Sequence, residues 1–105
     1  MKAVASAEAL ADNTSMQAEW QGENVLIARS GGELFAIANR CTHQDSPLHG
    51  GRVRRGYIAC PLHGVMFDLR TGAPQGQLTR EAVTVYEVCE RDGQILLGGP
   101  RPAAS

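Results

Sequence analysis

Short apolar stretches recur along the chain, each ended by a polar or glycine-rich break. Met16 to Trp20 reads as a first strand, and Asn24-Val25-Leu26-Ile27-Ala28-Arg29 as a second, rich in β-forming side chains. Ser30-Gly31-Gly32-Glu33 predicts a two-residue hairpin turn, with Leu34 to Ala38 as the return strand. That return strand is almost unbroken in apolar character, which predicts burial on both faces. Later stretches are shorter. Arg52 to Arg55 and Tyr57 to Ala59 read as two strands around Gly56, and Val65-Met66-Phe67-Asp68 as another. Thr71 to Gly76 predicts a turn-rich loop. Val83 to Cys89 is the clearest strand by β-branched content, and Arg91-Asp92-Gly93 turns the chain into Gln94 to Leu97. Pro47, Gly50 and Gly51 keep residues 41–51 irregular. Residues 1–6 read as a frayed end, followed by one helical turn from Ser6 to Leu10 behind a serine cap.

Many short strands with frequent turns make the fold all-β, a sandwich or a barrel. A chain of 105 residues is one small domain, spanning 1–105. Its 43% hydrophobic content suffices for a core, yet a domain this size gains from an internal staple such as a metal group. The net charge of −1 gives no electrostatic case for nucleic acid or a membrane surface. The longest apolar runs, four or five residues, are far too short for a spanning helix. The first residues reach Glu8 and Asp12 without a hydrophobic region, so no secretory signal is expected. Three cysteines, two of them assigned below to a metal, leave no pair for a disulfide and suit a reducing cytoplasm.

The chemistry lies between Cys41 and Gly64. Two cassettes, Cys41-Thr42-His43 and Cys60-Pro61-Leu62-His63, each offer one thiolate and one imidazole, with sixteen residues between His43 and Cys60. Four such ligands in two tight pairs indicate a metal site. A structural zinc site usually pairs Cys with Cys and His with His, whereas both pairs here are mixed. Two adjacent iron ions bridged by sulfide let each loop give its Cys to one ion and its His to the other. That is the ligation of a Rieske 2Fe-2S cluster. Cys41 and Cys60 would hold the inner iron, His43 and His63 the outer one.

On these residues the chain resembles the Rieske ferredoxins, and among them the ferredoxin components of bacterial aromatic-ring-hydroxylating dioxygenases. The likeness extends to Pro47, Gly50, Cys60-Pro61, His63-Gly64, Phe67-Asp68 and Thr71-Gly72, and covers about residues 8–97. It implies the Rieske fold: an antiparallel β-sandwich base with a cluster-binding subdomain of two loops, about residues 40–68. It also implies one Rieske-type 2Fe-2S cluster, a flavin-dependent NAD(P)H reductase as electron donor and a terminal Rieske oxygenase as acceptor. Ala73-Pro74 would be the proline loop over the cluster. Leu48, Leu62 and Pro74 are expected to shield it, and Gly50, Gly51 and Gly64 to let backbone amides approach its sulfurs.

The residues left over weigh against an oxygenase. A two-His-one-carboxylate iron site needs two histidines, and only His49 remains, an expected exposed loop residue. No G-x-G-x-x-G occurs, so a Rossmann-type dinucleotide site is absent from the sequence. The expected role is therefore electron transfer, not catalysis. The alternatives are the Rieske-like small subunit of a nitrite reductase and a zinc-stabilised module without redox activity. Arg52, Arg54 and Arg55 form a basic run, either a solvated strand face or a docking patch. Cys89 is expected to be a buried thiol. High-potential respiratory Rieske proteins carry an extra disulfide and two hydroxyl donors. Those positions align with Ser46, Leu62, Val65 and Phe67 here, so a potential near the low end, about −150 mV, is expected.

Overall fold

A computed structural model describes residues 1–41, 46–62, 64–76 and 81–101. In chain order the strands are β1 (Lys2–Ser6), β2 (Thr14–Trp20), β3 (Glu23–Ser30), β4 (Glu33–Ala38), β5 (Val53–Arg54), β6 (Tyr57–Ala59), β7 (Met66–Asp68), β8 (Pro74–Gln75), β9 (Val85–Arg91) and β10 (Gln94–Pro100). They form two antiparallel sheets. A six-stranded base has the order β1-β10-β9-β4-β3-β2, and a four-stranded small sheet the order β5-β6-β7-β8. The small sheet is inserted in the chain between β4 and β9, which pair with each other in the base through Ala36 and Ile37 against Tyr86 and Val85.

Four hairpins turn in two residues: Gln21-Gly22, Gly31-Gly32, Arg55-Gly56 and Asp92-Gly93. In each turn both residues have positive φ, from 48° to 86°. This is the turn whose twist matches paired strands, and it explains why glycine ends every one of them.

The unbroken apolar character of β3 and β4 follows from two separate cores. Leu26, Ala28, Phe35 and Ile37 face the small sheet and meet Val53, Ile58 and Phe67 there. The alternate residues Val25, Ile27 and Ala36 face the other way, onto Tyr86, Ile95 and Leu97. The base curls around this second core until the ring of Trp20 on β2 lies against Gly99 on β10, where a Cβ would sit 3.6 Å from it.

Four expectations change. Residues 1–6 are not frayed: β1 pairs with β10, with an irregularity between Ala3 and Ala5, and Val4 and Ala5 pack on the second core. The helical turn is a single 3-10 turn, Ala7–Ala9, capped by the Ser6 hydroxyl accepting from Glu8 N–H. Within the expected 71–76 loop, Pro74 and Gln75 form β8 against β7, a sheet edge where proline is tolerated. The strand expected from Val83 starts at Val85, because Val83 N–H is taken by Gly72 C=O outside the base.

Candidate metal centre

Cys41 and Cys60 are held in the same way. Cys41 N–H donates to Ser46 C=O at 2.6 Å, and Cys60 N–H donates to Val65 C=O at 2.8 Å. In each loop the cysteine amide thus reaches five residues forward and closes the loop at its neck. In the second loop Gly64 N–H also donates to Cys60 C=O at 2.9 Å. Cys41 and Ser46 face each other in an isolated antiparallel bridge.

The first loop is fastened to the base by Asn39, a buried residue that no sequence pattern singled out. Its Oδ1 accepts from Leu48 N–H and His49 N–H, both at 2.9 Å. Its Nδ2 donates to Gln17 Oε1 and Asn24 Oδ1, and its backbone N–H to Asn24 C=O. One side chain therefore joins the loop to β2 and β3. Its place directly after an apolar strand and before the first cassette was the available signal. A second clamp is the Ser30 hydroxyl, which accepts from the buried Gly56 N–H at 2.8 Å and ties the β5–β6 turn to β3. Gly51 allows a further close approach: a Cβ there would fall 1.8 Å from Ala59 O, on β6.

Both cysteines are buried, at 0% and 2% exposure, and belong to one core with Leu48, Val53, Ile58, Val65 and Phe67. The loops thus bring the two thiols of the separate cassettes into one apolar environment. Ionised thiols in such a place are costly unless charge-compensated, and a cationic metal group would supply that compensation. Among the described residues the buried side-chain oxygen or nitrogen with no hydrogen-bond partner is Ser46 Oγ, on the residue opposite Cys41. Two buried sulfur donors and an orphaned hydroxyl beside one of them fit a sulfur-rich cluster. His43 and His63, the other expected ligands, lie outside the described residues, as does Asp45.

The remaining expected site residues divide. Leu48 is fully buried, as a core residue beneath the loop. Leu62 is 59% exposed and Met66 42%, so the second loop and the start of β7 present apolar side chains to solvent. Pro74 is half-buried and paired with Phe67. His49 and the basic residues Arg52, Arg54 and Arg55 are exposed. Gly51 and Gly64 do not leave their amides open toward a cluster: Gly51 N–H donates to Leu48 C=O and Gly64 N–H to Cys60 C=O. Cys89 is half-buried, not buried, with its Sγ 3.7 Å from Met1 Sδ. A cleft of about 330 Å³ beside the first loop is walled by residues including Asn39, Ser46, Pro47 and Tyr86. Burial, with a smaller contribution from the Glu23 carboxylate, pushes the Tyr86 phenol above its ordinary value. No helix among the described residues is long and apolar enough to cross a membrane.

Comparison with known proteins gives the same reading from outside the chain. A family model described as the Rieske 2Fe-2S domain matches residues 1–87. The anthranilate 1,2-dioxygenase ferredoxin subunit of Burkholderia cepacia is 41% identical over 71 residues. That match takes in 68% of this chain and 66% of the relative. The ferredoxin of carbazole 1,9a-dioxygenase from Nocardioides aromaticivorans IC177 superposes with a TM-score of 0.84 at 32% identity. The superposition covers 92% of this chain and 95% of that one. A chain from a complex of reduced oxygenase and oxidised ferredoxin in carbazole 1,9a-dioxygenase superposes with a TM-score of 0.88 at 25% identity. Here 97% of this chain and 95% of that chain are covered.

Proposed function

The chain belongs to the Rieske 2Fe-2S family, and we propose that it is a one-electron carrier of an aromatic-ring-hydroxylating dioxygenase system. In this role it takes an electron from a flavin-dependent NAD(P)H reductase and delivers it to a terminal oxygenase, in the cytoplasm. It is the electron-transfer component, and the chemistry on the aromatic ring belongs to the oxygenase. The observation that carries the proposal is the matched hold on Cys41 and Cys60, two buried thiols from mixed Cys/His cassettes brought into one core. The relatives' description as dioxygenase ferredoxins supports the choice of system.

Cys41, His43, Cys60 and His63 would hold the cluster, which supplies one reversible electron when bound. The chain's own residues do the rest. Leu48, Val65 and Phe67 pack in the same buried apolar core as the two sulfurs. The neck hydrogen bonds hold the backbone at Cys41 and Cys60, and the Asn39 clamp holds the first loop at Leu48 and His49, an arrangement that would keep reorganisation small. Exposed Leu62, Met66, Pro47 and His49 lie in or beside the cassette loops and offer a partly apolar face to a partner.

Iron and acid-labile sulfide analysis of the purified protein, with electron paramagnetic resonance after anaerobic reduction, tests the carrier. The expected result is two iron, two sulfide and a Rieske-type signal. One zinc and no sulfide would overturn it. Reconstituted turnover then tests the system: NADH, a flavin reductase and an aromatic-ring oxygenase should give product only when this protein is added.

A further inference from the structure

We propose that Ser46 tunes the cluster, its buried hydroxyl donating a hydrogen bond to a sulfur on the Cys41 side of the bound group. The inference rests on the carrier reading above, which places Cys41 among the cluster ligands.

Three observations converge on this serine. Its hydroxyl is buried and has no partner, although buried polar groups in folded proteins are almost always bonded. It stands opposite Cys41 in an antiparallel bridge. Directly opposed residues of such a pair project their side chains to the same face, with Cβ atoms about 5 Å apart. The Ser46 hydroxyl and the Cys41 sulfur therefore share a side of the loop. Among the described residues, two nearby acceptors are already engaged: Ser46 C=O accepts from Cys41 N–H, and Asn39 Oδ1 accepts from two backbone amides. Ser46 contributes to the wall of the cleft beside the loop, yet Oγ itself is shut off from solvent. The face it shares with Cys41 directs it to the sulfur side. A thiol is a poor acceptor, but a metal-bound thiolate or sulfide is a good one.

The consequence has a definite sign. Reduction adds negative charge to the group that accepts this bond, so the donor stabilises the reduced form more than the oxidised form and raises the midpoint potential. Ser46→Ala should hold its cluster, keep the Rieske optical spectrum and show a lower potential. The expected loss is roughly tenfold in the reduced-to-oxidised ratio at a fixed potential, which is about 59 mV for one electron. Ser46→Thr, which restores a hydroxyl, should recover most of it. Should the alanine variant fail to load, Ser46→Cys keeps the shape with a weaker donor and should still fall below the wild type. A second readout needs no potential. Pulsed electron paramagnetic resonance of the reduced wild type should show a proton coupling that disappears after exchange into D2O and is missing from the alanine variant. A loaded Ser46→Ala or Ser46→Cys protein with the wild-type potential would overturn the proposal, as would identical exchangeable couplings. Failure of the carrier reading would look different, since the wild type itself would then lack the Rieske signal.

Discussion

The base sheet and the small sheet are both antiparallel β-structure, but they are stabilised in different ways. The base uses strands of five to eight residues. Two of its neighbouring strands, β3 and β4, alternate between two cores. The small sheet uses strands of two or three residues, too short to sustain a ladder alone. It and its loops lean on the base through one core and through two point fastenings, the Asn39 and Ser30 clamps. The lesson is a division of labour. Apolar alternation builds the base, whereas polar clamps and the bound group complete the part that carries the chemistry.

The sharpest way to separate the two regions is to remove a sulfur. Cys60→Ala should abolish cluster binding. Hydrogen exchange should then show the amides of Ile58 and Phe67 losing about 4 kcal/mol of protection, while those of Ile27 and Leu97 keep most of theirs. Equal losses in both sheets would show that they unfold as one unit and would break the comparison.

Asn39→Ala comes next. It strands the Leu48 and His49 amides and removes both amide donations to Gln17 and Asn24. The cost should be about 3 kcal/mol, read as a lower denaturant midpoint and faster cluster loss. Ser30→Ala leaves one buried amide, that of Gly56, without its acceptor. About 1.5 kcal/mol should be lost, with the change in exchange confined to the β5–β6 turn. The smallest effect belongs to His49→Ala. That side chain is exposed and only its backbone is clamped, so stability should move by less than about 0.5 kcal/mol and the Rieske spectrum should persist. Loss of that spectrum would show that the ligand set is wrong.

The same contrast explains what could be read from the chain before its structure. The base was largely legible: Asn24–Arg29, Leu34–Ala38 and the Gly31-Gly32 turn follow from periodicity and turn chemistry alone. Its main surprise, β1, is a short strand with two alanines whose place is decided by pairing with β10, a partner far along the chain. Around the small sheet the pairing of Cys41 with Cys60 was legible, because metal ligation demands particular residue types at fixed spacing, and the fold buries these two in one core. The clamps were not. Asn39 and Ser30 look like ordinary loop polars, and only tertiary packing shows which buried amides they satisfy. The burial of Leu48 and the exposure of Leu62 were hidden for the same reason. One leucine points under its loop and the other away from it, and hydrophobicity alone does not distinguish them.

The insertion of the small sheet between β4 and β9 also bears on how fast the molecule folds. Ile37 and Val85 meet at the middle of the base but are far apart in sequence, so their pairing must close a long loop whose entropy cost grows with the logarithm of its length. An assembled small sheet replaces that flexible loop with a compact bridge. The bridge leaves the base at Asn39 and returns at Thr84, where Ala38 N–H meets Thr84 C=O at 2.8 Å. Assembly of the cluster-bearing region then shortens the effective contact order of the base. Maturation of the metal centre would act as a kinetic aid to a sheet that supplies none of its four expected ligands.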